Sequence, residues 1–309
     1  MNPSATIRED IVDGDRCLRL LNDRLAISIN VDHGAHLFEL IDRRSGVDVL
    51  YQDPAGSRDY EVGGWYELFP NAGVACVFEG RPMTAHGDVQ HAGWTGGADP
   101  ARGSDVSVTL ASESSDLPFS IAKTITLSGE SARLRIEETV INRSDRRLPY
   151  LWGQHITFGE AFLDGAVITL PPGTLRGTVI IGDGGDGPIA SAVGELAAFP
   201  TSTRRTVDLS GFPMEPLRAM LFSDALRETR YTIANDVLGV FASVSWDPGA
   251  WPYLWFWAHR AADADGLVAC AIEPQACEVP VLSEAVAAGR APMLEAGESR
   301  AAWIEFELQ

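Results

Sequence analysis

Basic residues are scarce in this chain of 309 residues. Only 24 lysines and arginines stand against 43 aspartates and glutamates, a formal charge of -19 at neutral pH. Such a field repels phosphate backbones and anionic headgroups, and no Lys/Arg cluster offers a local exception, so neither nucleic acid nor membrane is an expected partner. Cysteine is scarce too: Cys17, Cys76, Cys270 and Cys277 form no CxxC pair, and a chain this long needs no disulfide staples, so reduced, mostly buried thiols are expected. No apolar run reaches the roughly 18 residues of a membrane-spanning helix. The start, MNPSATIREDIVDGDRC, is polar and acidic where an export signal needs a basic start and an apolar stretch, which points to a soluble cytoplasmic protein. GxSxG, GxxxxGK[ST], HExxH and His-x-His patterns are all missing, which argues against an elbow hydrolase, a P-loop enzyme and a catalytic metal. The looser pairs His33/His36 and His86/His91 are weak grounds for a metal, and no cofactor is expected. Helical periodicity is confined to SEAVAAGR at 283–290, stopped by Gly289 and Pro292.

What the chain has in quantity is period-two alternation. Leu25, Ile27, Ile29 and Val31 alternate with polar or small residues, as do Val106, Val108 and Leu110, then Val240, Ala242, Val244 and Trp246, then Ile304, Phe306 and Leu308. This is the mark of antiparallel strands with one face buried. Apolar residues make up 45% of the chain, enough for a large core. Without βαβ spacing or a 20–50-residue repeat, the pattern predicts an all-β fold, a large antiparallel β-sandwich or barrel. The most loop-like stretches are 52–60, 95–104 and 182–188. Strand-like sequence resumes on both sides of each, so residues 1–309 are expected to form one domain.

Three segments carry candidate chemistry. In 63–94, Trp65, Tyr66, Phe69 and Trp94 surround Asn71 and His86. Aromatic faces suit the C–H faces of a pyranose, while a few polar groups suit its hydroxyls; the plainer reading is a core strand with ordinary turn polarity. In LPYLWGQHITFG, 148–159, His155 lies inside a strand-like run, where a lone histidine is usually a satisfied core residue. In VACAIEPQ, 268–275, Glu273 ends an apolar stretch, either desolvated and useful or exposed at a strand end. The aromatic run WPYLWFW, 251–257, reads more readily as a buried strand than as a partner surface.

Together these segments resemble the aldose 1-epimerase family of galactose mutarotase-like proteins. The resemblance rests on LFPN followed by a His-Gly and a Trp, a Gly-Gln-His strand after a Pro-aromatic start, and a late Ile-Glu-Pro-Gln before LEAGES. It spans roughly residues 33–309. It implies a supersandwich of antiparallel sheets with a sugar on the concave face, Glu273 as general base, His155 as general acid, and His86 as the second histidine near the ring oxygen. Many members carry an arginine where this chain has Val74, with Arg81 as a substitute candidate. Asp247 is the candidate for the carboxylate that holds sugar hydroxyls. Asn71, Trp94 and Gln275 complete the expected substrate contacts, and His91 reads more readily as a solvated surface residue.

The activity so implied is interconversion of the α and β anomers of a free aldose by acid–base ring opening. Ordinary pKa values, about 6.5 for imidazole and 4.3 for glutamate, give protonated His155 and ionised Glu273 near neutrality. Two alternatives stand beside it. One is a carbohydrate-binding or sensing protein that keeps the platform without productive acid–base geometry. The other is a glycoside-processing enzyme, which usually needs two carboxylates where only Glu273 presents itself. Nothing in the sequence reads quaternary structure.

Overall fold

A computed structural model describes residues 5–52, 62–182, 191–201, 205–262 and 266–309. Two large antiparallel sheets dominate it. The eleven-stranded sheet runs, edge to edge, through Thr6–Val12, Asp15–Leu21, Leu25–Asn30, His36–Asp42, Trp65–Leu68, Gly153–Gly159, Val268–Gln275, Tyr253–Arg260, Leu217–Ser223, Leu175–Ile181 and Ala192–Gly194. The eight-stranded sheet runs through Ala166–Thr169, Arg230–Asn235, Val240–Trp246, Ser299–Leu308, Arg133–Asn142, Phe119–Leu127, Val106–Glu113 and Thr95–Ala98. The alternating segments of the sequence are all strands. Along Phe119–Leu127 buried and half-buried positions alternate without a break, because one face meets the other sheet and one meets water.

The two helices are short, Glu160–Leu163 and Leu282–Ala287. The second falls on the predicted SEAVAAGR segment; the first, four residues long, has no periodicity to betray it. No helix among the described residues is long and apolar enough to cross a membrane. The loop expected at 95–104 is only partly a loop. Thr95–Ala98 pairs with Val106–Glu113 as an edge strand, and its glycines belong there: Gly96 has φ +128°, and a Cβ on it would lie 2.1 Å from the Thr109 carbonyl oxygen. Residues 53–60 and 183–188 of the other two loop stretches lie outside the described residues.

Between the sheets the core is largely apolar, and among the described residues it holds a charged network. Lys123 occupies an inward position of Phe119–Leu127 and reaches across to Glu67, donating at 2.7 and 2.8 Å to its two carboxylate oxygens and at 2.9 Å to the Ala35 carbonyl. Both side chains are essentially sealed from water. Beside them Glu138 accepts from Trp152 Nε1 at 3.1 Å and from Gln154 Nε2 at 2.9 Å, while Gln154 Oε1 accepts from Trp65 Nε1 at 2.7 Å. Burial, and next the Glu67 carboxylate, push the Glu138 carboxyl well above the usual range, with Lys123 pulling the other way. The network therefore sets a carboxyl whose proton is held more tightly than usual beside one buried ion pair.

Two central strands, Gly153–Gly159 and Val268–Gln275, are buried at every position. One of their faces meets this core. The other forms the floor of a cavity.

Candidate functional site

The sheet beneath the cavity carries one row of side chains across five strands. Tyr66 stands opposite His155. Gly153 is opposite Gln275 and Thr157 opposite Ala271, a register that sets His155 across from Glu273. Glu273 in turn faces Trp255, and Trp255 faces Phe222. Directly opposed side chains in an antiparallel pair start from Cβ atoms roughly 5 Å apart, so strand register alone brings the acid and the histidine to one point. Trp257 and Met220, two positions along their strands from Trp255 and Phe222, share the same face. A cavity of about 370 Å³ opens above this row, lined by His155, Glu273, Met220, Phe222, Trp255 and Trp257 of the sheet and by His86, Val62, Val74 and Pro280 among the residues outside it. That volume suits a small-molecule site.

Each polar group is held in one orientation. His155 Nδ1 lies 3.0 Å from Thr157 Oγ1, which leaves Nε2 for a ligand, and its ring stacks on Tyr66 at 4.7 Å between centroids, 13° from parallel. Tyr66 Oη lies 3.3 Å from His86 Nδ1, and His36 packs edge-on against the same tyrosine ring. His86 hangs from a tight turn with φ 59°. The following Gly87, φ +79°, is required there, since a Cβ would lie 2.0 Å from the Phe69 carbonyl oxygen. The His-Gly pair thus brings the second histidine down to 5.5 Å from His155, centroid to centroid. Glu273 Oε2 accepts from Gln275 Nε2 at 3.1 Å. Gln275 packs so closely on Gly153 that a Cβ would lie 2.0 Å from its Oε1.

Burial decides the protonation states. It pushes the Glu273 carboxyl up to about 8, against a smaller downward pull from Gln275. It also holds His155 well below the ordinary imidazole value, aided by His86 and His36 nearby. The ordinary pKa values expected from the sequence therefore do not hold: in the empty site near neutrality the carboxyl is protonated and His155 is neutral.

The remaining sequence candidates sit elsewhere. Asn71 is buried beneath the cavity turn and fully engaged by backbone, its Nδ2 donating at 2.9 Å to the carbonyls of Val74 and Thr84 and its Oδ1 accepting from Leu282 N at 3.1 Å. Its part is to pin the 71–74 turn that forms one wall. Trp94 lies in the inter-sheet core, donating to the Val89 carbonyl and carrying Lys123 Nζ 4.8 Å above its ring. Asp247 caps a turn of the eight-stranded sheet, accepting from Gly249 N at 2.8 Å, and Arg81 is exposed on the Arg81–Met83 hairpin strand. None of these four is among the residues that line the cavity. Val74, where many relatives carry arginine, does line it. Gln275 is present through Glu273.

The sequence reading passed over Thr157, Met220 and Phe222, and took Trp255 and Trp257 only as parts of a buried strand. Alternation in YLWFW was the available signal, since Trp255 and Trp257 must share one face and Phe256 the other. Chemically, the site offers two imidazoles and one carboxyl converging on one space, a proton donor and acceptor set without a metal cluster among the described residues. Glu273 is the one carboxyl among the described lining residues, where two-carboxylate glycoside hydrolysis needs a pair.

The architecture is that of galactose mutarotase-like proteins. It superposes on a galactose mutarotase-like protein of Clostridium acetobutylicum with a TM-score of 0.72 at 16% identity, covering 100% of this chain and 99% of that one. A Synechocystis sp. PCC 6803 protein gives 0.68 at 19% identity, covering 100% and 98%. A candidate aldose 1-epimerase of Escherichia coli K12 gives 0.66 at 16% identity, covering 99% of each chain. No curated protein matches the sequence significantly. The family described as a domain of unknown function, DUF4432, matches residues 70–308, a span that holds His86, His155 and Glu273, and this chain belongs to it.

Proposed function

We propose that the chain is a single sugar-binding domain with aldose 1-epimerase activity, interconverting the anomers of a free aldose without a cofactor. The observation that carries this reading is the pairing of His155 and Glu273 across adjacent strands at the floor of one cavity. Ring opening removes the proton of the anomeric hydroxyl and adds one to the ring oxygen; rotation and reclosure invert the centre. Glu273 takes the hydroxyl proton, His155 gives one to the ring oxygen through Nε2, and His86 supports the sugar beside it. On reclosure the two exchange roles. The aromatic side chains Trp255 and Phe222 offer faces against which the C–H face of the ring packs.

The reversed protonation order has a measurable consequence. The reactive arrangement, carboxylate plus imidazolium, contains the same number of protons as the neutral pair that dominates the empty site. Its share is set by transfer between the two groups and does not vary with pH. With Glu273 pushed up to about 8, kcat/KM is expected to stay level through neutrality and to fall above about pH 8, where the pair loses its shared proton. Unperturbed groups would place that fall above about 6.5, so a pH profile already declining at 6.5 contradicts this assignment.

NMR magnetisation exchange between α and β anomers tests the function itself. Exchange above the spontaneous rate, lost in His155→Ala, supports mutarotation; tight sugar binding with no exchange supports a sensing protein instead. Tyr66→Phe keeps the stack on His155 but removes the partner of His86. Loss of one such hydrogen bond, on the order of 1 kcal/mol, corresponds to roughly a five-fold drop in kcat/KM. An unchanged value would mean that His86 needs no such support.

A further inference from the structure

The cavity has two chemically different ends. Its reacting end is Glu273, His155 and His86. Among the described residues, every other lining side chain is apolar or a tryptophan: Met220, Phe222, Trp255 and Trp257 on one wall, with Val62 and Val74 among those facing them. The indole N–H of Trp255 is already engaged by the Cys277 carbonyl at 3.0 Å. The backbone groups of the wall strands are held in the sheet, where Phe222 pairs with Trp255 and Trp255 with Glu273.

An aldose whose anomeric hydroxyl meets Glu273 and whose ring oxygen meets His155 directs its remaining substituents at these walls. Among the described wall residues the Trp257 indole N–H is the one side-chain donor left to meet a hydroxyl, so most hydroxyls entering such a space give up water for little return, whereas a CH₂ or CH₃ loses nothing polar and gains contact. We infer, building on the proposed anomer exchange at this site, that it takes deoxy aldoses in preference to their fully hydroxylated parents. Discrimination by an apolar pocket against an added hydroxyl is about 10²-fold at most, so roughly 10- to 100-fold in kcat/KM is expected.

The test compares matched pairs by NMR magnetisation exchange: D-galactose with its 6-deoxy and 2-deoxy analogues, and D-glucose with the same two. At least one deoxy analogue of each pair should exceed its parent by about 10-fold or more. Met220→Gln, which keeps side-chain length and places an amide in the wall, should narrow the ratio. Parents that match or exceed their deoxy analogues, with a ratio unmoved by Met220→Gln, overturn the inference and leave anomer exchange standing. If no sugar shows exchange, the proposed activity fails, and quenching of tryptophan fluorescence with the same sugars then decides the inference separately. Tighter binding of the deoxy member by 10-fold supports it, and equal binding overturns it.

Discussion

Glu273→Gln is expected to keep the fold and to lower kcat for anomer exchange by about 10²–10⁴-fold, the range for loss of a positioned acid–base group. Glutamine reproduces the size and the neutral state of the buried carboxyl but cannot accept the anomeric proton. The stability of the variant gives an independent check on the same residue. The folded-state value of Glu273 is raised from 4.5 to about 8, so between those limits the folded protein binds a proton that the unfolded chain has lost. Wild-type stability therefore declines from pH 4.5 to about 8 on account of this group and levels off above. The variant lacks that contribution, so its stability relative to wild type should rise across the same window in urea unfolding. Near-wild-type turnover would remove Glu273 from the mechanism; a flat stability difference would mean that the carboxyl ionises freely in the folded protein.

The second large effect is structural. Lys123→Met should destabilise the protein by about 3–5 kcal/mol in urea unfolding, because it leaves Glu67 buried without its counter-charge. Restoring neutrality with Lys123→Met and Glu67→Met together should recover much of the loss, since a buried pair replaced by apolar groups of similar volume is often close to neutral. A single variant as stable as wild type would show that the Glu67 carboxylate is not sealed from water as its 1% side-chain exposure indicates. The contact matters for the site as well as for the core. Glu67 neighbours Tyr66 and stands opposite Gln154, which neighbours His155, so the network grips the back of the strands whose front faces carry Tyr66 and His155.

Much of this could be read locally. A strand with one buried face writes its geometry into a few consecutive residues, and the alternations at 25–31, 106–110, 240–246 and 304–308 all mark strands of the two large sheets. Even the short helix at Leu282–Ala287 lies where the one helical pattern stood. Local reading left plain alternatives open for His86, His155 and Glu273, and it was the resemblance of their three segments to the aldose 1-epimerase family that singled them out. Local reading could not place Asn71, because a buried asparagine that ties a turn and one that meets a ligand have the same neighbours in sequence. Nor could it place Trp94, whose ring carries Lys123 of the Phe119–Leu127 strand above it.

By itself, then, the sequence determined the strand content, the inward and outward face of most strands, the scarcity of helix, and the three titratable residues worth testing. Tertiary structure alone decided which of these meet. The row beneath the cavity joins residues 66, 155, 273, 255 and 222 in that spatial order, through pairings between residues up to about 120 positions apart in the chain. No local pattern encodes such a register; it is fixed by which faces must be buried against each other once both sheets form. Burial is likewise a property of the assembled sheets, and it raises the Glu273 carboxyl and lowers His155 because water is excluded from both at once.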